Sequence, residues 1–444
     1  MRFSIVDHTA PDDRFLTSLA SQLEGRRQVL VAYSGGVDSS VLLHLLVALR
    51  QRRRIEVRAA YVNHGLNPLA DSWAEHCHQQ CRQWQVSFAQ LTVTVDAQRG
   101  GIEAAARDAR YRALEAHLLD DEVLLTAQHL DDQSETFLLA LKRGSGPAGL
   151  SAMAASTTLG HHALLRPLLG FSRRQLESYA RLHQLRWIED DSNRDERFDR
   201  NFLRRRILPP LTERWPHFTT AVARSAQLCA EQEQLLDELL AESLQALLQP
   251  DGSLKIDGLL SLSPARRFAL LRRWLAERGA QMPARDQLQR LWQEVAVSRQ
   301  DAEPVLQLKH RQIRRFRQRL YVLPLMQSLK DCVLAWRPPF GPLALPDGAG
   351  VLSLAEGGAQ VRRPNVEEQV SVRFSAAGKI HRVGRSGGRT MKKLWQELDV
   401  PPWLRDRTPL VFYDDQLIAA LGQFVTLEGQ PQTGEPGWHI AWTR

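Results

Sequence analysis

The chain has four cysteines in 444 residues, Cys77, Cys81, Cys229 and Cys332, too few to build a disulfide framework. Cys77 and Cys81 stand four apart on an expected helix. No second Cys or His pair completes a zinc set at the usual spacing, so the thiols read as structural or incidental. No run of eighteen apolar residues occurs, which argues against a membrane-spanning helix, and Met1 to His8 contains no apolar segment of the secretory kind. A soluble protein in the cytoplasm, with no membrane partner, is therefore expected. Internal repeats and low-complexity tracts are absent. The nucleotide signature G-x-x-x-x-G-K-[ST] is missing as well, and the glycine-rich turn at Ser34–Gly36 does not fit G-x-G-x-x-G either. Acidic residues are the scarcer charge, 50 against 58 Lys and Arg. The net charge of +8 points to a polyanionic partner such as RNA or DNA.

What is present begins at Val29. The apolar run Val29 to Tyr33 reads as a buried strand and leads into Ser34-Gly35-Gly36, a turn of minimal bulk. Val37, Asp38, Ser39 and Ser40 then open an apolar-periodic helix. A strand, a glycine-rich turn and a helix N-terminus form an anion site, because first-turn N–H groups lack intrahelical acceptors and the helix dipole favours negative charge. A phosphate is the expected anion. Similar turns also occur in open α/β sheets that hold no nucleotide.

The first half of the chain alternates strand and helix. Strand-like runs at Val29–Tyr33, Val57–Asn63, Val86–Val95 and Glu122–Ala127 flank helical patterns at Ser39–Arg50, Ala70–Trp84, Ile102–Leu119 and Asp131–Arg143. This order predicts an α/β fold, a doubly wound parallel sheet whose ligand lies beyond the C-terminal strand ends. The loops at 34–38, 63–65 and 128–132 all fall on that edge. At this length two or three domains are expected. They are placed at 1–211 for the nucleotide domain, 212–330 for a mainly helical one and 351–444 for a small β-rich one. A basic hairpin is expected at Pro304–Leu325. The Pro and Gly residues between Pro338 and Gly350 read as a linker or a loop-rich boundary, and a helix is expected near Met391–Glu397.

Asp38 lies at the mouth of the phosphate loop. A carboxylate beside phosphates repels them unless a cation lies between, so Mg²⁺ ligation is its natural role, with N-capping as the competing one. Asp132 and Glu135 share a helix face, and His129 precedes them on the loop. Such acids suit a second metal contact, a general base or a cage for a cationic amine, although first-turn acids also complement a helix dipole. Arg107 and Arg110 could clamp phosphates. So could Arg204, in the arginine-rich stretch Arg197 to Arg206.

Together these segments resemble the tRNA(Ile)-lysidine synthetase family of PP-loop ATP-pyrophosphatases. The resembling pieces are Ser34 to Ser39, Asn63 to Leu66, Glu103 to Tyr111, His129 to Thr136, Arg143 to Gly149, Arg200 to Arg204, Lys392 to Trp395 and Pro401 to Arg405. Gln128 departs from the pattern, since the family often has a second His there. The resemblance implies a carbon–nitrogen ligase that joins lysine to C2 of the wobble cytidine in a CAU-anticodon isoleucine tRNA. ATP first adenylates O2 and releases pyrophosphate; the lysine ε-amine then displaces AMP. It implies ATP and Mg²⁺ as cofactors and allows a homodimer. The residues expected to act are Asp38, His129, Asp132 and Glu135. Ser34, Gly35, Gly36, Val37, Asp38, Ser39, Arg107, Arg110 and Arg204 are expected on the nucleotide, with Asp38 and Asp132 on the metal. The alternatives are another PP-loop enzyme, such as a tRNA thiolation enzyme or an amide-forming ligase, and a tRNA-binding protein with an inactive nucleotide fold.

Overall fold

A computed structural model describes residues 11–95, 102–299, 302–432 and 436–443 of the chain. The chain divides into two compact units, Met1–Glu238 and Leu239–Arg444. In the first, α1 (Pro11–Gln22) precedes an alternating series: β1 (Gln28–Ala32), α2 (Val37–Arg52), β2 (Glu56–Asn63), α3 (Ala70–Gln83), β3 (Ser87–Thr92), α4 (Ile102–His117), β4 (Val123–Leu125) and α5 (Leu130–Lys142). A short α6 (Pro147–Leu150), a hairpin of β5 (Ser156–Leu159) and β6 (His162–Leu165), and α7 (Arg173–Leu182) come next.

The sheet order is β3-β2-β1-β4-β6-β5. All neighbours are parallel except the β5–β6 hairpin, which the sequence pattern did not anticipate. The chain runs outward from β1 through β2 to β3, then returns to place β4 on the other side of β1. That reversal opens a crevice between the loops after β1 and β4.

Strand alternation supplies two apolar faces. Val29, Val31, Ala59, Tyr61, Val123 and Leu125 pack with α1, α2, α3 and α7. Leu30, Ala60, Leu124 and Leu164 pack with Leu114 and Tyr111 of α4. Cys77 and Cys81 are fully buried in the first core, and all four cysteines are free. Burial pushes the Cys81 thiol up to about 12 and Cys77 higher still, so neither is a thiolate near neutral pH.

Beyond α7 come α8 (Asp199–Phe202), a π-helical turn at Leu203–Ile207, α9 (Leu208–Arg214) and α10 (Phe218–Leu247). The second unit begins within α10, at Leu239, and continues with β7 (Leu254–Lys255), α11 (Asp257–Leu260), α12 (Pro264–Glu277) and α13 (Arg285–Arg290). These pack, around Trp274, on a four-stranded sheet that includes β8 (Val305–Leu308), β9 (Arg311–Phe316) and β10 (Arg319–Pro324). The β-rich remainder comprises β11 (Val333–Ala335), β12 (Leu343–Leu345), β13 (Gly350–Val361), β14 (Val370–Arg373), β15 (Lys379–Ile380), β16 (Arg389–Thr390), α14 (Met391–Glu397), α15 (Pro402–Arg405), β17 (Leu410–Tyr413), β18 (Gln416–Ala420), β19 (Phe424–Val425) and β20 (Trp438–Thr443). β11 pairs with β14 and β12 with β13, so the proline-rich stretch read as a linker is built into these sheets. No helix among the described residues is long and apolar enough to cross a membrane.

Candidate active site

The loop after β1 is shaped by Gly35. Its φ is +79°, a left-handed value that favours glycine, and an added Cβ would lie 2.5 Å from Ile188 Cδ1 and 2.9 Å from Cys77 Sγ. Ile188 N donates to Gly35 O at 2.8 Å, pinning the loop from outside. Ser34 and Ser39 hydroxyls meet at 3.1 Å across the turn, and the Ser39 hydroxyl donates to Gly36 O. The N-cap of α2 is Gly36, without a side-chain cap. Asp38 therefore does not cap the helix, and its carboxylate is left for other work. Gly35→Ala is expected to cost roughly 1–3 kcal/mol from the strained φ, with the clash added, and to weaken ATP binding. Thermal melting and ATP titration of the variant check this; unchanged values would show that the loop tolerates a Cβ.

The loop after β4 faces the first across the crevice and is tied to the start of α7. Leu130 N donates to Phe171 O, and Arg173 N donates to Asp131 Oδ2 at 2.7 Å. This brings Arg173 to Asp38, whose Oδ2 accepts from Arg173 Nη1 at 2.8 Å. Asp38 Oδ1 is buried and has no hydrogen-bond partner. Burial raises the Asp38 pKa, opposed by the charges of His129 and Arg173.

His129 is 2% exposed and lies among three carboxylates: Asp38 Oδ1 at 3.7 Å, Asp132 Oδ2 at 3.4 Å and Asp131 Oδ2 at 3.6 Å. Burial alone would lower its pKa, but the Asp131, Asp132 and Asp38 carboxylates outweigh that and raise it. The imidazole is thus biased toward a cation that donates, rather than a base that accepts.

Asp132 has both oxygens engaged. Oδ2 accepts from His129 N at 3.0 Å, which closes the first turn of α5, and Oδ1 accepts from Arg204 Nη2 at 3.2 Å. Glu135 is fully buried and held by both arms of Arg204, with Nε to Oε1 at 2.7 Å and Nη2 to Oε2 at 3.0 Å. Arg200 Nη1 adds a second positive charge, 3.8 Å from Glu135. Burial raises the Glu135 pKa against these cations, while Glu135 and Asp132 hold Arg204 charged.

The structure thus gathers Ser34 to Ser39, His129, Asp132, Glu135 and Arg204 around one crevice. Arg204 is turned to the carboxylates in this state. Arg107 and Arg110 lie on α4, with Arg107 over the Tyr111 ring at 5.0 Å and Arg110 Nε 3.4 Å from His64 Nε2. The side chain of Glu103 lies outside the described residues. Sequence reading missed Arg173, and it saw Asp131 and Arg200 only as members of their motifs, without a role of their own at the site. Arg173 carried no local signal, because its partner Asp38 is 135 residues away.

The orphaned Asp38 Oδ1 suits a hard cation. Among the described residues no group of three or more His, Cys, Asp or Glu is arranged to hold a metal by itself. A Mg²⁺ ion needs only one or two carboxylates when phosphates complete its shell, so the donor set fits.

Comparison with known proteins bears on the whole chain. Residues 10–211 match the model of a PP-loop domain, 254–321 that of a TilS substrate binding domain and 370–442 that of a TilS substrate C-terminal domain. The chain is 71% identical to a tRNA(Ile)-lysidine synthase of Pectobacterium atrosepticum, over 99% of this chain and 100% of that protein. It is 61% identical to the tRNA(Ile)-lysidine synthase of Serratia proteamaculans, over 98% and 99%. With that of Edwardsiella ictaluri the identity is 59%, over 96% and 97%.

Proposed function

Because the chain belongs to the tRNA(Ile)-lysidine synthase family, we propose that it joins lysine to C2 of the wobble cytidine in a CAU-anticodon isoleucine tRNA, cleaving ATP to AMP and pyrophosphate. The observation that carries this reading is the crevice itself. A phosphate-binding turn and Asp38 stand on one lip, and the His129–Asp132–Glu135–Arg204 cluster stands on the other. Anion and cation sites are therefore neighbours, as a reaction between a triphosphate, an RNA base and an amine requires.

In the first step, O2 of the cytidine attacks the α-phosphate and pyrophosphate leaves. The turn at Ser34–Ser39 holds the departing phosphates through N–H groups that are already oriented. Asp38, with Asp132, would hold Mg²⁺, which supplies charge neutralisation at the phosphate oxygens. His129, whose pKa these carboxylates raise, lies between them and offsets their mutual repulsion when it is protonated. In the second step the lysine ε-amine attacks C2, the C–O bond breaks and AMP leaves with the bonding pair. The amine attacks in its neutral form and sheds a proton afterwards, so a carboxylate must receive it. Asp132 is the better placed, because its side chain is 13% exposed whereas Glu135 has no exposed surface.

The second unit supplies tRNA contacts on this reading. In the β9–β10 hairpin Arg315 is spent on backbone carbonyls of Ala296 and Ser298, and Arg317 pairs with Asp399. Arg405 pairs with Glu303. That leaves Arg314, Lys392 and Lys393 as the cations best placed to meet phosphates by electrostatics alone.

The test is pyrophosphate release from ATP that depends on tRNA, followed by lysidine in the digested tRNA when lysine is added. Product that carries sulfur, or no product with lysine, would overturn the reading. The competing thiolation chemistry needs reactive thiols. Replacing Cys77, Cys81, Cys229 and Cys332 by Ala is expected to leave the rate of lysidine formation within about threefold, while the two core positions lower Tm modestly. Alanine is the right replacement because a serine hydroxyl would be buried in an apolar core. Loss of turnover with Tm retained would favour the thiolation chemistry.

A further inference from the structure

Arg173, Arg200 and Arg204 each have a carboxylate within 4.0 Å. Three other arginines on the same edge of the sheet have none among the described residues: Arg107 and Arg110 on α4, and Arg166 just after β6. Arg166 is 8% exposed. Its Nη1 donates to Ala154 O at 2.6 Å, but its Nε is buried with no acceptor. It faces the Tyr111 hydroxyl, and the charge of Arg107 opposes its own. A second buried nitrogen, His64 Nδ1, is also without a partner, on the ring whose Nε2 meets Arg110. Unpaired like charges and unsatisfied donors gathered at one place are unfavourable unless an anion completes them.

We propose that Arg166, with Arg107 and Arg110, forms a second anion seat in this crevice, separate from the glycine-rich turn, for a phosphate group of the reactants. The proposal rests on the reading of the crevice as the place where ATP meets an RNA base. The anion is a phosphate ester in either case, from the RNA backbone beside the reacting base or from the triphosphate of ATP. Arg107 and Arg110 are exposed and Arg166 is buried, so an entering phosphate first meets exposed cations and then a buried one. Arg166 is a binding residue on this view: its backbone is held by Arg166 N to Ala155 O at 2.8 Å, and its guanidinium by Ala154 O.

The experiment compares full-length wild type, R166Q, R166K and R107Q. It measures ATP affinity, and the affinity for a CAU-anticodon isoleucine tRNA transcript across a salt series. If the RNA backbone is the source, R166Q and R107Q should each weaken tRNA about tenfold and lower the salt slope by about one unit, with ATP affinity unchanged. If ATP is the source, the loss of about tenfold falls on ATP and the salt slope for tRNA stays. In both cases R166K should recover part of the loss, because it keeps the charge. Wild-type affinities for both ligands in R166Q and R107Q would overturn the proposal. So would a loss in R166Q alone that tracks a lowered Tm and is not repaired by R166K, since Arg166 would then only support the loop at Ala154 that leads into β5. These binding readouts do not use lysidine formation, so the seat and the parent reaction can fail separately.

Discussion

Asp38→Ala is expected to lose pyrophosphate release by at least about 10²-fold while keeping tRNA affinity. The reasons are local. Asp38 is the carboxylate nearest the phosphate turn, its Oδ1 has no partner, and its other oxygen is held by Arg173 at 2.8 Å. Without the carboxylate, Arg173 still has Glu177 at 3.0 Å, so the variant leaves no stranded cation. Burial raises the Asp38 pKa, which means that the fold carries a cost for keeping it ionised at neutral pH. That cost is absent below the carboxylate's unfolded pKa and grows as pH rises. Asp38→Asn should therefore melt no lower than wild type at neutral pH although it is inactive, the pattern of a site that trades stability for chemistry. Steady-state pyrophosphate release and a melting curve decide it. A variant that turns over normally removes Asp38 from the mechanism.

The second large effect separates the two acids of α5. Glu135 has no exposed surface and receives both arms of Arg204, so Arg204→Ala strands a buried carboxylate. The expected loss is about 3 kcal/mol, at the low end for a broken buried pair because Arg200 remains 3.8 Å away. Glu135→Gln should also lower Tm and should impair both half-reactions, since Arg204 loses its anchor. Asp132→Asn should behave differently. Its side chain is 13% exposed, and the amide oxygen can still accept from His129 N. Stability should be nearly kept, while adenylation slows through the weakened metal contact and the lysine KM rises tenfold or more through the lost charge-assisted contact. Adenylation without lysine, followed by single-turnover lysine transfer, distinguishes the two. Equal effects of D132N and E135Q on lysine KM, with equal Tm, would mean that both acids act on the amine.

The parts of this site legible in the sequence are those whose chemistry is local. Gly35 needs a left-handed φ and close approach, and the strand, turn and helix around it are consecutive. Asp132 and Glu135 share a face because helix geometry places them there, and Arg204 binds both. What stayed hidden is long-range. Arg173 reaches Asp38 only because β6 lies beside β4 in the sheet. The β5–β6 hairpin that arranges this was not anticipated, since Ser156–Leu165 has two adjacent histidines and no clear alternation. The reach of the β-rich body before Val351 was hidden likewise, because β11 and β12 are three residues long and set among prolines.

The π-helical turn at Leu203–Ile207 makes the chemistry sensitive to helix phase as well as to side-chain identity. It holds one residue more than an α-turn, with Arg204 toward Glu135 on one side of it and Leu208 in the apolar interior on the other. Deleting exposed Arg205 or Arg206 removes no contact to either acid, yet it rotates the downstream helix by about 100° relative to Arg204. Either Leu208 leaves its seat or Arg204 leaves Glu135. Substitutions at these two arginines should be tolerated, whereas single-residue deletions there should not. The spacing of this segment constrains the enzyme more tightly than its composition does.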